Sequence, residues 1–310
     1  MKLISLVFSF RNEEKNLPIL VQRIESTLNK LENWKYELIF VNDASDDNSE
    51  NVLQDLQKKH PITIINMSRK FGNVPCVIAG FKHANGDVII YMDSDLQDPP
   101  EVIPNLLEEY DNGADVVHTI RTKREGENKI KLFITKIAYK IINYLADIPL
   151  PIEAGDFKLI SKKALNKILD QNEFRPYVRG LSVWVGYKQA YVKYERKARP
   201  EGETKHPLFS GGPVSEFING VTSYSLKPLY IGVFFGFISL LFSVALVIYA
   251  LFAKFNGLAI PGSTGIILAI SFFSGILLLC LGTIGIYIAR IFEQIKGRQQ
   301  YIIKDIKKKN

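Results

Sequence analysis

Cysteine is scarce in this chain. Its 310 residues include two, Cys76 and Cys280, far apart in apolar surroundings. That excludes a disulfide framework or a cysteine-based metal site as the organising device, and both are expected to be buried thiols. No secretory leader is expected either. The apolar start at residues 3–10 is short and lacks a basic n-region and a small-residue cleavage site, so it is expected to be a first strand. There are no internal repeats and no low-complexity segments, which sets aside solenoids and disordered arrays. What is plentiful is apolar character. Hydrophobic residues make up 47% of the chain, and most of the excess lies beyond residue 228. The net charge of +7 suits nucleic acid, an anionic membrane or phosphorylated substrates.

The first part of the chain alternates two periods. Residues 3–10, 36–41, 62–67, 88–92 and 116–119 are short apolar runs of the kind that form strands covered on both faces. Between them, residues 49–59, 73–84 and 102–111 have helical spacing, the last with Pro99 and Pro100 at its start. Leu17, Leu20, Val21, Ile24 and Leu28 mark a further helix, with Asn12-Glu13-Glu14 as its expected cap and acidic first turn. This alternation predicts an α/β fold, a Rossmann-like three-layer domain with a mainly parallel sheet.

From residue 121 to 146, Lys129, Lys131, Lys136 and Lys140 interleave with Ile130, Phe133, Ile134, Ile137, Ile141 and Leu145. This predicts a basic amphipathic helix, either packed on the core with a solvated face or lying on anionic lipid. Residues 230–253 and 265–288 each run more than 18 residues without a charge, long enough to span a bilayer of about 30 Å. The tail carries Arg290, Lys296, Arg298, Lys304, Lys307, Lys308 and Lys309, whereas the loop between the spans has only Lys254. By the positive-inside rule the tail is expected in the cytoplasm, and two spans return the α/β domain to the same side. The expected organisation is a cytoplasmic domain over 1–228, a transmembrane hairpin over 229–290 and a basic tail over 291–310.

The strongest chemical signal is Tyr91-Met92-Asp93-Ser94-Asp95-Leu96-Gln97-Asp98-Pro99-Pro100-Glu101. An apolar strand delivers Asp93 and Asp95 to its C-terminal end, where open α/β sheets bind ligands. Two carboxylates one residue apart suit a hard divalent ion, Mg²⁺ or Mn²⁺, that also holds a diphosphate. The segment Phe40-Val41-Asn42-Asp43-Ala44-Ser45-Asp46-Asp47 also follows a strand. Asp43 there can accept the N–H of a pyrimidine base, or the segment can be a turn and helix cap. Ser9-Phe10-Arg11-Asn12-Glu13-Glu14 is open to the same two readings.

Together these segments resemble the family 2 inverting glycosyltransferases of GT-A fold. Within them the chain is most similar to the polyprenyl-phosphate branch, the bactoprenol-phosphate glucosyltransferases and dolichol-phosphate mannose synthases. The likeness extends over nearly the whole chain. The third segment matches "D-x-D-L-Q-D-P-P-E" at every position. The second matches "V-D-D-x-S-x-D" with Asn42 in place of the first Asp, and the first matches "P-x-Y-N-E-E" with Ser9-Phe10-Arg11 at its start. Ser68-Arg69-Lys70-Phe71-Gly72 resembles "S-R-N-F-G". Ala154-Gly155-Asp156-Phe157 resembles "x-G-D-F-R", with Lys158 replacing the Arg. Residues 179–186 and 199–208 match as well, and the two spans with Tyr301-Ile302-Ile303 are typical of the bactoprenol branch.

The resemblance implies roles. Ser9, Asn12, Glu13, Asp43 and Asp93 would contact the nucleotide, with Asp43 on the base. Asp93, Asp95 and Gln97 would hold Mg²⁺ or Mn²⁺. Asp95, Asp156 and Lys205 would be catalytic, with Arg199 and Lys205 neutralising the leaving diphosphate or the acceptor phosphate. Arg121, Arg124 and Arg199 would take the acceptor phosphate, since an Arg fork matches phosphate oxygens. Trp184 would line the sugar pocket, or else sit in the core. Asp156 stands where inverting relatives keep a general base. A lipid phosphate is already an oxyanion near neutrality, so Asp156 can instead orient the acceptor or the sugar hydroxyls. The implied reaction moves glucose or a related hexose from a UDP-sugar to polyprenyl phosphate, as in cell-surface glycan modification. The implied partners are the donor, the lipid phosphate and the bilayer, with no nucleic acid, in a homo-oligomer that the likeness makes a tetramer. The implied location is the inner or plasma membrane. The alternatives are a processive polysaccharide synthase, for which the chain lacks both a Q-x-x-R-W motif and enough spans to enclose a polymer, and a non-enzymatic membrane scaffold.

Overall fold

The computed structural model describes residues 1–124, 140–149, 151, 154–196, 218–257 and 262–309. The chain divides into two compact units. One comprises Met1–Gly220 with Gln299–Asn310, the other Val221–Arg298.

The first unit is built on an eight-stranded sheet. Its strands are β1 (Lys2–Phe10), β2 (Trp34–Asn42), β3 (Ile62–Met67), β4 (Val88–Tyr91), β5 (Val116–Arg124), β6 (Ala154–Ser161), β7 (Gln189–Arg196) and β8 (Ile303–Lys308). They lie in the order β7-β5-β6-β4-β1-β2-β3-β8. β1 pairs in parallel with both β2 and β4, β2 with β3, and β5 with β7. β6 runs antiparallel between β4 and β5, and β8 antiparallel to β3. Six strands therefore point one way. The order reverses at β1, between β2 and β4, which opens a crevice at the C-terminal strand ends.

Both sheet faces are covered, which is why β1 and β4 are continuous apolar runs. On one face Ile4, Leu6, Phe8, Leu38, Phe40, Ile64 and Ile90 meet α1 (Asn16–Leu28), α2 (Ser49–Gln57) and α4 (Ile103–Asp111). Phe8 stacks on Phe40 at 4.7 Å between centroids. On the other face α3 (Asn73–His83) lies so close that a Cβ on Gly80 would come within 2.3 Å of Val7. Two more helices, α5 (Lys162–Asp170) and α6 (Val178–Trp184), follow β6.

The expected cap of α1 is corrected by the structure. The helix begins at Asn16 with no side-chain cap and no acidic residue in its first turn. Asn12 is instead in the left-handed region at φ 56°, and residues 12–14 are bonded to the loop after β2. The Asn12 N–H donates to Ser45 Oγ at 3.1 Å, Glu13 N–H to Ser49 Oγ at 2.9 Å, and Glu14 N–H to Asp47 at 3.3 Å. The side chains of Asn12 and Glu14 turn to the same loop, where Asn12 Oδ1 accepts the Asp46 N–H and Glu14 Oε2 the Asn48 N–H, each at 3.1 Å, so neither caps α1.

The tail also differs from a basic extension running from 291. Residues 303–308 form the edge strand β8, in the same unit as the strands that precede the hairpin. The unit boundary falls at 220/221 rather than at 228/229. Of the expected amphipathic helix, residues 121–124 belong instead to β5, residues 125–139 lie outside the described residues, and 140–145 are helical.

The second unit holds α7 (Lys227–Phe255) and α8 (Gly262–Ile295), both long and apolar enough to cross a membrane. Phe242 packs on Phe272 and Phe273, and Tyr287 Oη donates to the Ser225 carbonyl at 2.7 Å. Cys280 lies partly exposed within this hairpin rather than buried, whereas Cys76, on α3, is buried.

Candidate active site

The strand ends β1, β2, β3 and β4 set the donor side of the crevice. β4 stops at Tyr91 and hands the chain to Asp93 and Asp95. Tyr91 is buried, and its hydroxyl lies 3.0 Å from Asp93 Oδ1 and 3.1 Å from Asn73 Oδ1. Ser9 Oγ donates to the same Asn73 oxygen, so β1, β4 and the start of α3 are tied around Asp93. Ser94 Oγ donates to the Ser9 carbonyl at 3.1 Å. Leu96, at φ 62°, turns the chain so that Asp95 accepts the Gln97 N–H at 3.2 Å. Asp93, Asp95 and Gln97 are thereby brought onto one turn.

Asp43 lies at the end of β2 and is buried. Its two carboxylate oxygens accept the Phe71 N–H at 2.6 Å and the Gly72 N–H at 3.0 Å. The carboxylate thus holds the Ser68–Gly72 loop at the start of α3, where Gly72 at φ 97° takes a conformation open to glycine. Burial, then Asp43, pushes the neighbouring Cys76 thiol well above its ordinary range.

The opposite wall, from β5, β6 and β7, is built of ion pairs. On β6, Asp156 accepts two bonds from Arg179 of α6, Nε to Oδ1 at 2.8 Å and Nη2 to Oδ2 at 2.6 Å. Lys158, two residues on, is fully buried, with Nζ 3.3 Å from Ser182 Oγ. Burial alone would raise the Asp156 pKa. Arg179, with Lys158 and Arg121, outweighs it and holds this carboxyl well below the usual carboxylate range. Burial lowers Lys158 to about 8, with Asp156 opposing that shift and Arg179 adding to it. Asp98 is fully buried. Tyr194 Oη donates to it, Arg121 Nη2 lies 3.7 Å away, and Arg121 Nε donates to Tyr194 Oη at 3.0 Å. A Cβ on Gly155 would come within 2.7 Å of this guanidinium, so the glycine makes room for it.

Between the two walls Asp93 stands in excess negative charge. Burial first, then Asp156, Asp98 and Asp95, push its pKa up to about 7. A site of this kind holds a proton near neutrality or gains from a cation. Among the described residues no three His, Cys, Asp or Glu side chains converge into a ready-made metal cage. A hard cation shared with diphosphate oxygens needs fewer protein ligands than that.

The sequence-derived residues therefore meet in part. Ser9, Asp43, Asp93, Asp95, Gln97 and Asp156 lie at neighbouring strand ends. Asn12 and Glu13 lie on the loop beside them, with Glu13 buried and bonded to Asn16 at 2.6 Å. Arg121 is committed to Asp98 and Tyr194, as a support beneath the Asp93–Asp98 turn. Arg124 is placed by its backbone at the end of β5, opposite Arg196. Trp184 closes α6 with 51% of its surface exposed, which removes the core reading. Arg199 and Lys205 lie outside the described residues. Arg179, Lys158, Tyr91, Asn73, Asp98 and Tyr194 carry no assigned role in the sequence reading. Arg179 had a signal, its place in a matching motif, but its pairing with Asp156 is visible only in three dimensions.

Comparison with known proteins agrees with this geometry. The profile of glycosyl transferase family 2 matches residues 5–169. The glycosyltransferase YkcC of Bacillus subtilis (strain 168) is 37% identical over 302 residues, covering 97% of this chain and 93% of that one. The prophage bactoprenol glucosyl transferase homolog of Escherichia coli (strain K12) is 34% identical over 310 residues, covering 98% and 99%. Among solved structures, glucosyl-3-phosphoglycerate synthase of Mycobacterium tuberculosis, in complex with phosphoglyceric acid, superposes with a TM-score of 0.51. It is 17% identical, over 72% of this chain and 79% of that one, and shows the shared GT-A-like fold. With its mixed, mostly parallel sheet and its paired carboxylates at the β4 end, the chain belongs to glycosyl transferase family 2 and is a glycosyltransferase.

Proposed function

We propose that this glycosyltransferase moves glucose or a related hexose from a UDP-sugar to a polyprenyl phosphate at the cytoplasmic face of a membrane, with inversion. The observation that carries the reading is the carboxylate cluster at the ends of β4 and β6, in which Asp93 is pushed up to about 7 beside Asp95 and Asp156. Its excess charge fits a divalent cation, Mg²⁺ or Mn²⁺, with Asp93, Asp95 and Gln97 as the residues to hold it. When bound, such an ion neutralises the departing diphosphate as a Lewis acid.

The chain's own groups supply the rest. Asp43 braces the Ser68–Gly72 loop against which the nucleotide is read. Asp156, kept ionised by Arg179, is a poor proton acceptor, and a phosphate oxyanion does not need one. Its part is to orient Arg179 and the incoming groups, so that rate comes from alignment and charge stabilisation. With Arg121 engaged under the turn, the acceptor phosphate falls to Arg124, Arg199 and Lys205.

The acceptor class is supported by relatives whose names specify bactoprenol, a polyprenol. Membrane attachment is supported by α7 and α8. That both ends of the hairpin share one side is supported by β8, because a strand that follows the hairpin yet joins the sheet preceding it requires an even number of crossings. The test is a screen of radiolabelled nucleotide-sugars with membranes and undecaprenyl phosphate. Label passing into a lipid extract from one UDP-sugar is the expected result. Label in a polymer, or in no lipid at all, overturns the acceptor reading.

A further inference from the structure

The strand β8 does more than cover a sheet edge. Asn66, at the end of β3, is buried, and its carboxamide is used on both sides. Nδ2 donates to Asp305 Oδ1 of β8 at 2.8 Å and to Glu50 Oε1 at 2.9 Å. Oδ1 accepts from Asn42 Nδ2 at 3.1 Å. Asn42, also buried, accepts the Ser45 N–H at 2.8 Å through its own Oδ1. This last bond shapes the turn that carries Asp43. The same strand region reaches the loop that Asp43 holds, since the Ser68 N–H donates to the Ile302 carbonyl at 2.9 Å.

The order of these amides is not symmetric. Two carboxylates, Asp305 and Glu50, fix which end of the Asn66 carboxamide is the donor. If it turned over, its NH₂ would face the NH₂ of Asn42, and two buried donors would oppose each other. Glu50 is shared with Lys307 Nζ at 2.5 Å, whereas among the described residues the Asp305 carboxylate accepts from Asn66.

We propose that Asp305 is a positioning residue for the nucleotide-sugar site. It acts through Asn66 and Asn42 to set the Asp43 turn, while its strand anchors the Ser68–Gly72 loop. The element that follows the membrane hairpin thereby completes the donor pocket. This inference rests on the donor reading given above.

The test uses the full chain in detergent, titrated with UDP and Mn²⁺ and assayed with donor and lipid phosphate varied in turn. The variants are Asp305→Ala, which removes the acceptor oxygen, Asp305→Asn, which keeps one, and Lys308→Ala as an exposed control on the same strand. Asp305→Ala is expected to weaken UDP binding and raise the donor KM about tenfold, a change of about 1.4 kcal/mol. Its kcat and its KM for lipid phosphate should stay within about twofold, because the β4 carboxylates are not on the relay. Asp305→Asn should restore most of the loss, and Lys308→Ala should match the wild type. Unchanged UDP binding in a folded Asp305→Ala protein overturns the inference. So does equal damage by Ala and Asn, or a fall in kcat at constant donor KM. If the wild-type protein itself bound no UDP, the donor reading would fail first, a result distinct from a wild type that binds and a variant that binds equally well.

Discussion

The β1–β2–β3 side of the crevice and the β6–β5–β7 side are held by different forces. On the first, loops are bound mainly by hydrogen bonds from backbone N–H groups to side-chain oxygens: Asn12 to Ser45, Glu13 to Ser49, Phe71 and Gly72 to Asp43. On the second, charges face each other: the buried Asp98 with Arg121, the part-buried Asp156 with Arg179, and the buried Lys158 beside them. Losing one neutral bond costs about 1 kcal/mol and losing one accepted by the Asp43 carboxylate about 1.5–3 kcal/mol, whereas stranding one buried charge costs several. The donor wall can therefore be adjusted in small steps, and the opposite wall resists single substitutions. Asp93 and Asp95 lie on the seam, where the charge is left unbalanced.

The largest expected effect tests that seam. Asp95→Ala should lower turnover by about a thousandfold, roughly 4 kcal/mol in the barrier, while the fold survives. Asp95 is partly exposed and lies on a turn, so its loss empties no core. Steady-state assays beside a thermal melt check this. Near-normal turnover in a folded variant, or full activity in EDTA, would remove the metal reading.

The second effect tests the charged wall. Arg179→Met leaves Asp156 without its two strongest bonds and should lower stability by about 2–4 kcal/mol, toward the lower end of what breaking a buried pair costs, since both side chains keep some exposure. Chemical denaturation measures it. A loss under about 1 kcal/mol would mean that the two walls are not differently built. The third effect tests the donor wall. Asp43→Ala frees two loop N–H groups and should cost about 2 kcal/mol, together with a clear loss of nucleotide affinity and little change in the KM for lipid phosphate. Titration with UDP beside lipid-phosphate kinetics separates these.

How far the fold was legible follows the same division. β1 to β5 were readable because parallel strands covered on both faces leave apolar runs, and turn residues separate them. β6 was not, because it places Asp156 and the fully buried Lys158 inside the sheet, where composition suggests a loop. β8 reads Ile-Lys-Asp-Ile-Lys-Lys, and nothing local distinguishes a lysine-rich edge strand from a solvated tail. Its partner β3 is more than 230 residues away. At the site, Asp93, Asp95 and Gln97 were legible because all three come from one strand end. The partners of Asp156 and Arg121 come from other elements, so only the fold discloses that one carboxylate is held by Arg179 and that one arginine is taken up by Asp98.

The smallest effect concerns the unbalanced charge itself. In the folded metal-free protein Asp93 titrates at about 7, against about 3.9 for an unperturbed Asp. Between those values the folded form keeps a proton that the unfolded chain has lost, so stability falls as pH rises from about 4 to about 7. Above that window the penalty is complete, and below it both states are protonated. Asp156 does not obscure this. Its pKa is depressed in the fold, so its contribution is present above the unfolded value and is lost only as the pH falls below about 4. Solvent reaching the cleft screens part of the Asp93 penalty, leaving about 1–2 kcal/mol. Asp93→Asn should thus melt higher than the wild type at pH 8 in EDTA, with the gap closing toward pH 4. Added Mn²⁺ should raise the wild type at pH 8 and leave the variant nearly unmoved, because the cation answers the charge that the substitution has removed. If the gap between the two proteins were constant from pH 4 to pH 8, the excess charge would not lie on Asp93, and the seam between the two walls would be no more strained than either of them.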